Sequence, residues 1–260
     1  MPSPYLPPEI LDQIVDNLSN ESKTLQNYCL VAKSWVPRTR KHLFADVKLS
    51  SSKVLQSWKE TFPDPSNSPA YHTRTLSISC SRRVTAADME EGGWIKTFSR
   101  VVHLEVDSKQ NSNDSGISLT PFHGLSPVVK SLCVTSVRLP HLRVFGLVRS
   151  LPHLEDLTLI AHGIANDGPD VHDGPPIAIP PPSSPPFTGT LRLILLGGME
   201  PAARRLLDLP NGLRFRNLIL PWLQENDILW INGLIVGCSD TLRGLYLTNH
   251  VIGAATWLLC

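Results

Sequence analysis

Ser131-Leu132-Cys133-Val134 and, twenty-five residues further on, Asp156-Leu157-Thr158-Leu159 carry the pattern that decides the fold: two apolar residues split by a small or polar one. The phrase recurs on both sides. Upstream stand Leu76-Ser77-Ile78 and Leu104-Glu105-Val106; downstream stand Leu191-Arg192-Leu193, Leu218-Ile219-Leu220 and Leu245-Tyr246-Leu247. The first leucines are separated by 28, 28, 25, 34, 27 and 27 residues. Alternation at period two is the mark of a strand with one buried face. A return every roughly 20 to 29 residues marks an array in which each copy leans on its neighbours.

Most copies carry a further apolar residue three positions ahead of the first leucine, at Val101, Val129, Leu154, Phe215 and Leu242. Between the phrases lie stretches with helical periodicity: Val54-Leu55 to Trp58, Met89 to Phe98 around Trp94-Ile95, Leu142 to Val148 around Phe145, and Ile228-Leu229 to Ile235. Strand then helix at constant period gives an α/β chain with seven parallel strands on one side of an arc and helices on the other. A buried leucine contributes about 1.5 to 3 kcal/mol, so stacked copies offset an ordering entropy that one alone could not.

Side chains between the buried leucines then share the concave side. One row is Thr75, His103, Ser131, Asp156, Thr190, Asn217 and Gly244; the next is Ser77, Glu105, Cys133, Thr158, Arg192, Ile219 and Tyr246. Small side chains of mixed charge suit a protein partner better than a small-molecule pocket. The candidate contacts are Ser77, His103, Glu105, Ser131, Asp156, Thr158, Arg192, Asn217 and Tyr246.

The N-terminal 46 residues read differently. Ile10, Leu11, Ile14, Val15 and Leu18 fall on one side of a helix, with Pro7 and Pro8 in its first turn. Ser22 is placed to cap a second helix carrying Leu25, Cys29 and Ala32, which Trp35 ends ahead of Pro37. A third runs from Arg38 to Phe44, with Arg38, Arg40, Lys41 and His42 forming a solvated basic cluster. So small a core leaves apolar side chains uncovered until a partner arrives.

The opening Leu6-Pro7-Pro8-Glu9-Ile10-Leu11, the block Cys29-Leu30-Val31-Ala32-Lys33-Ser34-Trp35 and the block Arg40-Lys41-His42-Leu43-Phe44 follow in an order and spacing that resembles an F-box. The resemblance implies a fold: a three-helix F-box over 1–46, a connector with a short strand and helix over 47–70, and an irregular leucine-rich-repeat-like solenoid over 71–260. It also implies partners, namely a Skp-type adaptor and through it a cullin scaffold. The matching positions are Leu6, Pro7, Ile10, Leu11, Ile14, Leu18, Leu25, Cys29, Leu30, Val31, Trp35, Leu43 and Phe44. The later part resembles the repeats found behind the F-box in many fungal proteins, and Cys238-Ser239-Asp240-Thr241-Leu242 is similar to a phrase common there. The asparagine of regular repeats is mostly absent.

Two stretches break the pattern. Residues 165–190 hold eight prolines between Pro169 and Pro186 and read as an exposed loop, with Pro182-Ser183-Ser184-Pro185 technically a P-x-x-P ligand. The chain ends on apolar Val251 to Cys260, where a solenoid needs a polar cap. Either the tail folds back over the last strand or the chain is truncated, and truncation is the preferred reading.

Composition narrows the function. With 24 Lys and Arg against 23 Asp and Glu, the net charge of +1 gives no phosphate-gathering surface, so nucleic acid is not an expected partner. Nor is a membrane: no run reaches the roughly 18 to 20 apolar residues of a span. The start Met1-Pro2-Ser3-Pro4-Tyr5 lacks a signal peptide's charge and apolar core, which points to the cytosol or nucleus. Five scattered cysteines, Cys29, Cys80, Cys133, Cys238 and Cys260, offer neither a disulfide framework nor metal-ligand spacing, and no cofactor is expected. No nucleophile elbow, phosphate loop or H-E-x-x-H is present, and His141, His153 and His162 do not join paired carboxylates. Catalysis is therefore not expected, and the resemblance implies instead a substrate-recognition adaptor of a cullin-type ubiquitin ligase, holding a protein substrate on its repeats. Alternatives are an F-box scaffold without a ubiquitination role and a free repeat module whose N-terminal helices cap the array.

Overall fold

The computed structural model describes residues 7–80, 91–108, 119, 122–123, 125, 128–139, 141–164, 187–195, 200–209, 212–221 and 227–248. Among these residues eight strands form one sheet in chain order, every neighbouring pair parallel. They are β1 (Asp46–Leu49), β2 (Thr75–Cys80), β3 (His103–Ser108), β4 (Ser131–Leu139), β5 (Asp156–Ile164), β6 (Thr190–Leu195), β7 (Asn217–Pro221) and β8 (Gly244–Thr248). All seven leucine phrases are strands. The eighth is the short strand expected behind the helical head, where Val47 and Leu49 pair with Leu76 and Ile78.

A repeated corner sets the register. The carbonyl just ahead of a strand accepts two successive N–H groups of the next: Ala45 from Arg74 and Thr75, Arg74 from Val102 and His103, Val102 from Lys130 and Ser131, Lys130 from Glu155 and Asp156. Gly189 does this for Arg216 and Asn217, and Arg216 for Arg243 and Gly244, at 2.6–3.2 Å. The residue heading each of these strands thus enters it by an N–H already bonded, and the leucine behind it follows in register.

That core is continuous. Leu76, Leu104, Leu132, Leu157, Leu191 and Leu218 are fully buried, as are Val101, Val129, Leu154 and Phe215 three residues ahead of their strands. Helices cover this face. In α4 (Ser52–Thr61), capped by Ser51 Oγ accepting from the Val54 N–H, Leu55 points in; in α5 (His141–Ser150), Val144, Phe145, Leu147 and Val148 do. In α7 (Ile228–Gly237), Ile231 and Leu234 do the same. One helix was not foreseen: α6 (Glu200–Leu207) buries Ala202, Ala203 and Leu206, two of them too small to mark a periodic stripe. Around Trp94-Ile95 the backbone forms a 3-10 helix over Glu91–Thr97, since Gly92 and Gly93 each oppose an α-helix by about 1 kcal/mol.

The head consists of α1 (Pro8–Asn17), α2 (Ser22–Val31) and α3 (Val36–Leu43). Its joints correct the sequence reading. Ser22 is the first helical residue rather than the cap; Glu21 holds the cap position, its carboxylate accepting from Thr24 Oγ1 at 2.9 Å. α2 stops at Val31 because Ala32 is extended, and a 3-10 turn over Lys33–Trp35 feeds α3 two residues before Arg38. Pro37 therefore lies in the first turn of α3, where its missing N–H has no bond to lose.

Between β5 and β6 the interval is longest, and the corner is rebuilt. Thr190 N–H donates to Asp156 Oδ1 at 2.6 Å, and Gly189 N–H to the Glu155 carbonyl at 3.1 Å. A Cβ at Gly189 would stand 2.2 Å from Asp156 Oδ1, so only glycine fits beside that carboxylate. Phe187 adopts φ +65, a conformation that costs a bulky residue about 1–3 kcal/mol; burial against Phe215 at 5.1 Å and an N–H bond to Leu154 hold it there. The loop read over 165–190 thus ends earlier than expected, with Phe187 packed and Thr190 in β6, while residues 165–186 and the tail Val251–Cys260 lie outside the described residues.

Candidate functional site

Two surfaces follow from these elements, one on the head and one on the sheet. In the head, α1 turns Val15 inward and α2 turns Leu25 inward, and both are buried. What remains outside is apolar. Leu30 is 86% exposed, Val31 65% and Ile10 41%, with Leu11, Ile14, Leu18 and Trp35 half-buried. Trp35 is held edge-on by Tyr28 at 4.9 Å.

The remaining positions of the expected adaptor surface divide. Leu25 lies wholly inside the head, so it holds helices together and offers nothing to a partner. Cys29 is half-buried, its Sγ 2.9 Å from Oγ1 of the buried Thr39. Phe44 packs on Trp58 and Phe62 at 5.9 and 5.8 Å and so belongs to the joint between head and sheet, next to half-buried Leu43. Pro7 is exposed ahead of α1, and Leu6 falls outside the described residues.

One ionic clamp fixes α1 to α3. Asp16 accepts from Arg38 through both carboxylate oxygens and lies 2.7 Å from His42 Nε2. Hydrogen bonding to Arg38, helped by His42, holds the Asp16 carboxyl well below the usual carboxylate range. Part of the basic cluster read as solvated is thereby committed: Arg38 and His42 position α1, while Arg40 and Lys41 face solvent.

On the sheet, both expected rows are in register. His103 stands opposite Thr75 and Ser131, Ser131 opposite Asp156, and Asn217 opposite Thr190 and Gly244. In the second row Ser77, Glu105, Cys133, Thr158, Arg192, Ile219 and Tyr246 align strand by strand. β1 extends the rows with exposed Asp46 and Lys48, which the alternation of Val47 and Leu49 could have revealed.

Hydrogen bonding separates residues that support this face from residues free to bind. Asp156 is engaged by the Thr190 N–H at the rebuilt corner, and Ser77 Oγ donates to Glu105. Gly244 makes room for its neighbours: a Cβ there would lie 2.8 Å from Tyr246 Cε2 and 2.8 Å from Asn217 Oδ1. The Tyr246 ring thus lies along the sheet beside the Asn217 amide. Arg192 stands between Thr158 and Ile219, and its buried Nε has no hydrogen-bond partner. Charge divides unevenly, with Asp46, Lys48, His103, Glu105 and Asp107 on β1 to β3 and Asp156 and Arg192 on β5 and β6.

Among the described residues no cluster of His, Cys, Asp or Glu is placed to hold a metal ion, and no helix is long and apolar enough to cross a membrane. Burial pushes the Cys238 thiol up, which marks it as a packing residue. No family model, no curated protein and no solved structure matches the chain.

Proposed function

We propose that the chain is a recognition adaptor: its helical head is an F-box that docks on a Skp-type adaptor, and its sheet is a leucine-rich-repeat-like solenoid that holds a protein substrate. Exposure of Leu30, Val31 and Ile10 on a three-helix head supports this reading more than any other observation. A monomer gains nothing by leaving such side chains in water, whereas a partner covering them recovers about 1.5 to 3 kcal/mol for each one buried. In this role the adaptor links the chain to a cullin scaffold in the cytosol or nucleus. Bound substrate then gains effective concentration near a charged ubiquitin-conjugating enzyme, and the ubiquitin chemistry belongs to other subunits.

Co-expression with a Skp-type adaptor tests the reading. Wild type should co-purify with it, and Ile10→Asp with Leu30→Asp should abolish that without altering the circular dichroism spectrum or melting temperature, because both residues are exposed. Binding that survives both changes refutes the assignment. Recovery of adaptor together with cullin supports a ligase role, and recovery of adaptor without cullin supports a scaffold.

A further inference from the structure

Arg192 Nε is the one buried side-chain nitrogen or oxygen among the described residues with no hydrogen-bond partner. Such an atom is costly, because a buried donor without an acceptor has given up its water and gained nothing in return, the more so when the group is charged. An arginine is ionised at any physiological pH, so an anion paired with its remaining N–H groups offsets part of the cost of leaving Nε unmatched. Asp156, the acid one row away on the adjacent strand, already serves the Thr190 N–H and forms no ion pair with Arg192. In its own row the flanking side chains are Thr158 and Ile219, both neutral. The side chain as a whole is half-buried on the open face, since its neighbours Leu191 and Leu193 point into the core. With Nε sealed against the sheet, the exposure belongs to the rest of the side chain.

We infer that Arg192 anchors a carboxylate-binding site on the open face, and that its ligand is a polypeptide segment carrying a glutamate or aspartate beside an apolar residue. This rests on the proposal that the sheet holds a protein. The guanidinium supplies paired donors whose planar spacing matches a carboxylate, and the pairing is strongest where water is partly excluded. Ile219 and the Tyr246 ring extend the same row toward β8, an apolar shelf beside the charge. The Asn217 amide, next to Tyr246 over Gly244, adds a neutral hydrogen-bonding group. A carboxylate flanked by an aliphatic or aromatic side chain satisfies all of these at once.

The full chain is immobilised and offered capped random nonapeptide pools whose central residue is fixed as glutamate, phosphoserine or glutamine. The glutamate pool should be retained at least five-fold over the glutamine pool. Arg192→Gln should make the two equal, and Arg192→Lys, which keeps the charge without the planar fork, should restore part of the difference. Equal retention of glutamate and glutamine by wild type overturns the inference, as does discrimination that persists in Arg192→Gln at an unchanged melting temperature. Retention of phosphoserine with glutamate no better than glutamine overturns the carboxylate in favour of a phosphate. Adaptor co-purification, measured on the same samples, is expected to be unchanged by Arg192→Gln. Wild type that binds the adaptor but retains glutamate and glutamine pools equally would defeat the anchor alone, and wild type that discriminates the pools but captures no adaptor would defeat the ligase reading alone.

Discussion

The head and the inner strands β2 to β7 handle apolar side chains in opposite ways. In β2 to β7 the first leucine of each phrase is fully enclosed, because a neighbouring strand flanks it on each side and a layer of helices or turns lies over it. In the head three short helices enclose Val15, Leu25 and the methyl of Thr39, and leave Ile10, Leu30 and Val31 in solvent. The contrast follows from geometry before it follows from function. A few dozen residues have too much surface for their volume to hide every apolar group, while an array adds interior with each copy. Sequence adds the rest: α2 ends on Leu30-Val31 without a polar residue that would finish the helix in water.

Experiments that weaken one region should leave the other nearly untouched. Leu132→Ala, in the middle of the sheet, should cost about 2–5 kcal/mol in urea unfolding, since it opens a cavity where strands and helices meet. Gly189→Ala should cost about 1–3 kcal/mol, because its new methyl must displace the Asp156 carboxylate from the Thr190 N–H; Asp156→Ala made together with it should recover part of the loss. Asp16→Asn acts on the head alone. Its carboxyl is depressed in the folded state, so the stability it adds is fully present above the ordinary value of 3.8 and is lost as the pH falls below it. Fluorescence of the Tyr28–Trp35 pair should therefore report acid loosening in wild type, against a weaker and flatter response in Asp16→Asn. Leu30→Ala should change stability by no more than about 0.5 kcal/mol; a loss comparable to that of Leu132→Ala would show that the exposed ridge is part of a core after all.

The sheet was legible because each copy repeats the same local instruction. Alternation gave the face of every residue, and the recurrence of the phrase gave its neighbours, so the rows through Ser77 and His103 needed no tertiary information. β1 was harder to place, since a valine stands at Val47 where other copies have leucine. α6 leaves no apolar stripe in the sequence because alanines carry its buried face. Chemistry on the face was less legible than position: nothing in the spacing distinguishes Asp156, bound into a corner, from Arg192, left without an acceptor. In the head the apolar stripe of α1 was visible, but which apolar groups go inward depends on how three helices meet. Leu25 and Leu30 have the same side chain and opposite fates. The breaks at Ala32 and Val36 depend on a 3-10 turn that periodicity does not encode.

Because the order of strands across the sheet is the order along the chain, β8 pairs among the described residues with a single neighbour, β7, and its Leu245 and Leu247 are 45% and 49% exposed where their counterparts Leu218 and Leu220 are sealed. Cooperativity in such an array passes from one rung to the next rather than through a common centre. Amide exchange should then be graded, faster at β8, whose leucines are half exposed, than at β4 and β5, whose Leu132 and Leu157 are sealed. Arg192 and Tyr246 sit on the side that loosens first, so a ligand bridging them would act as a clasp, slowing the fraying of strands it never touches.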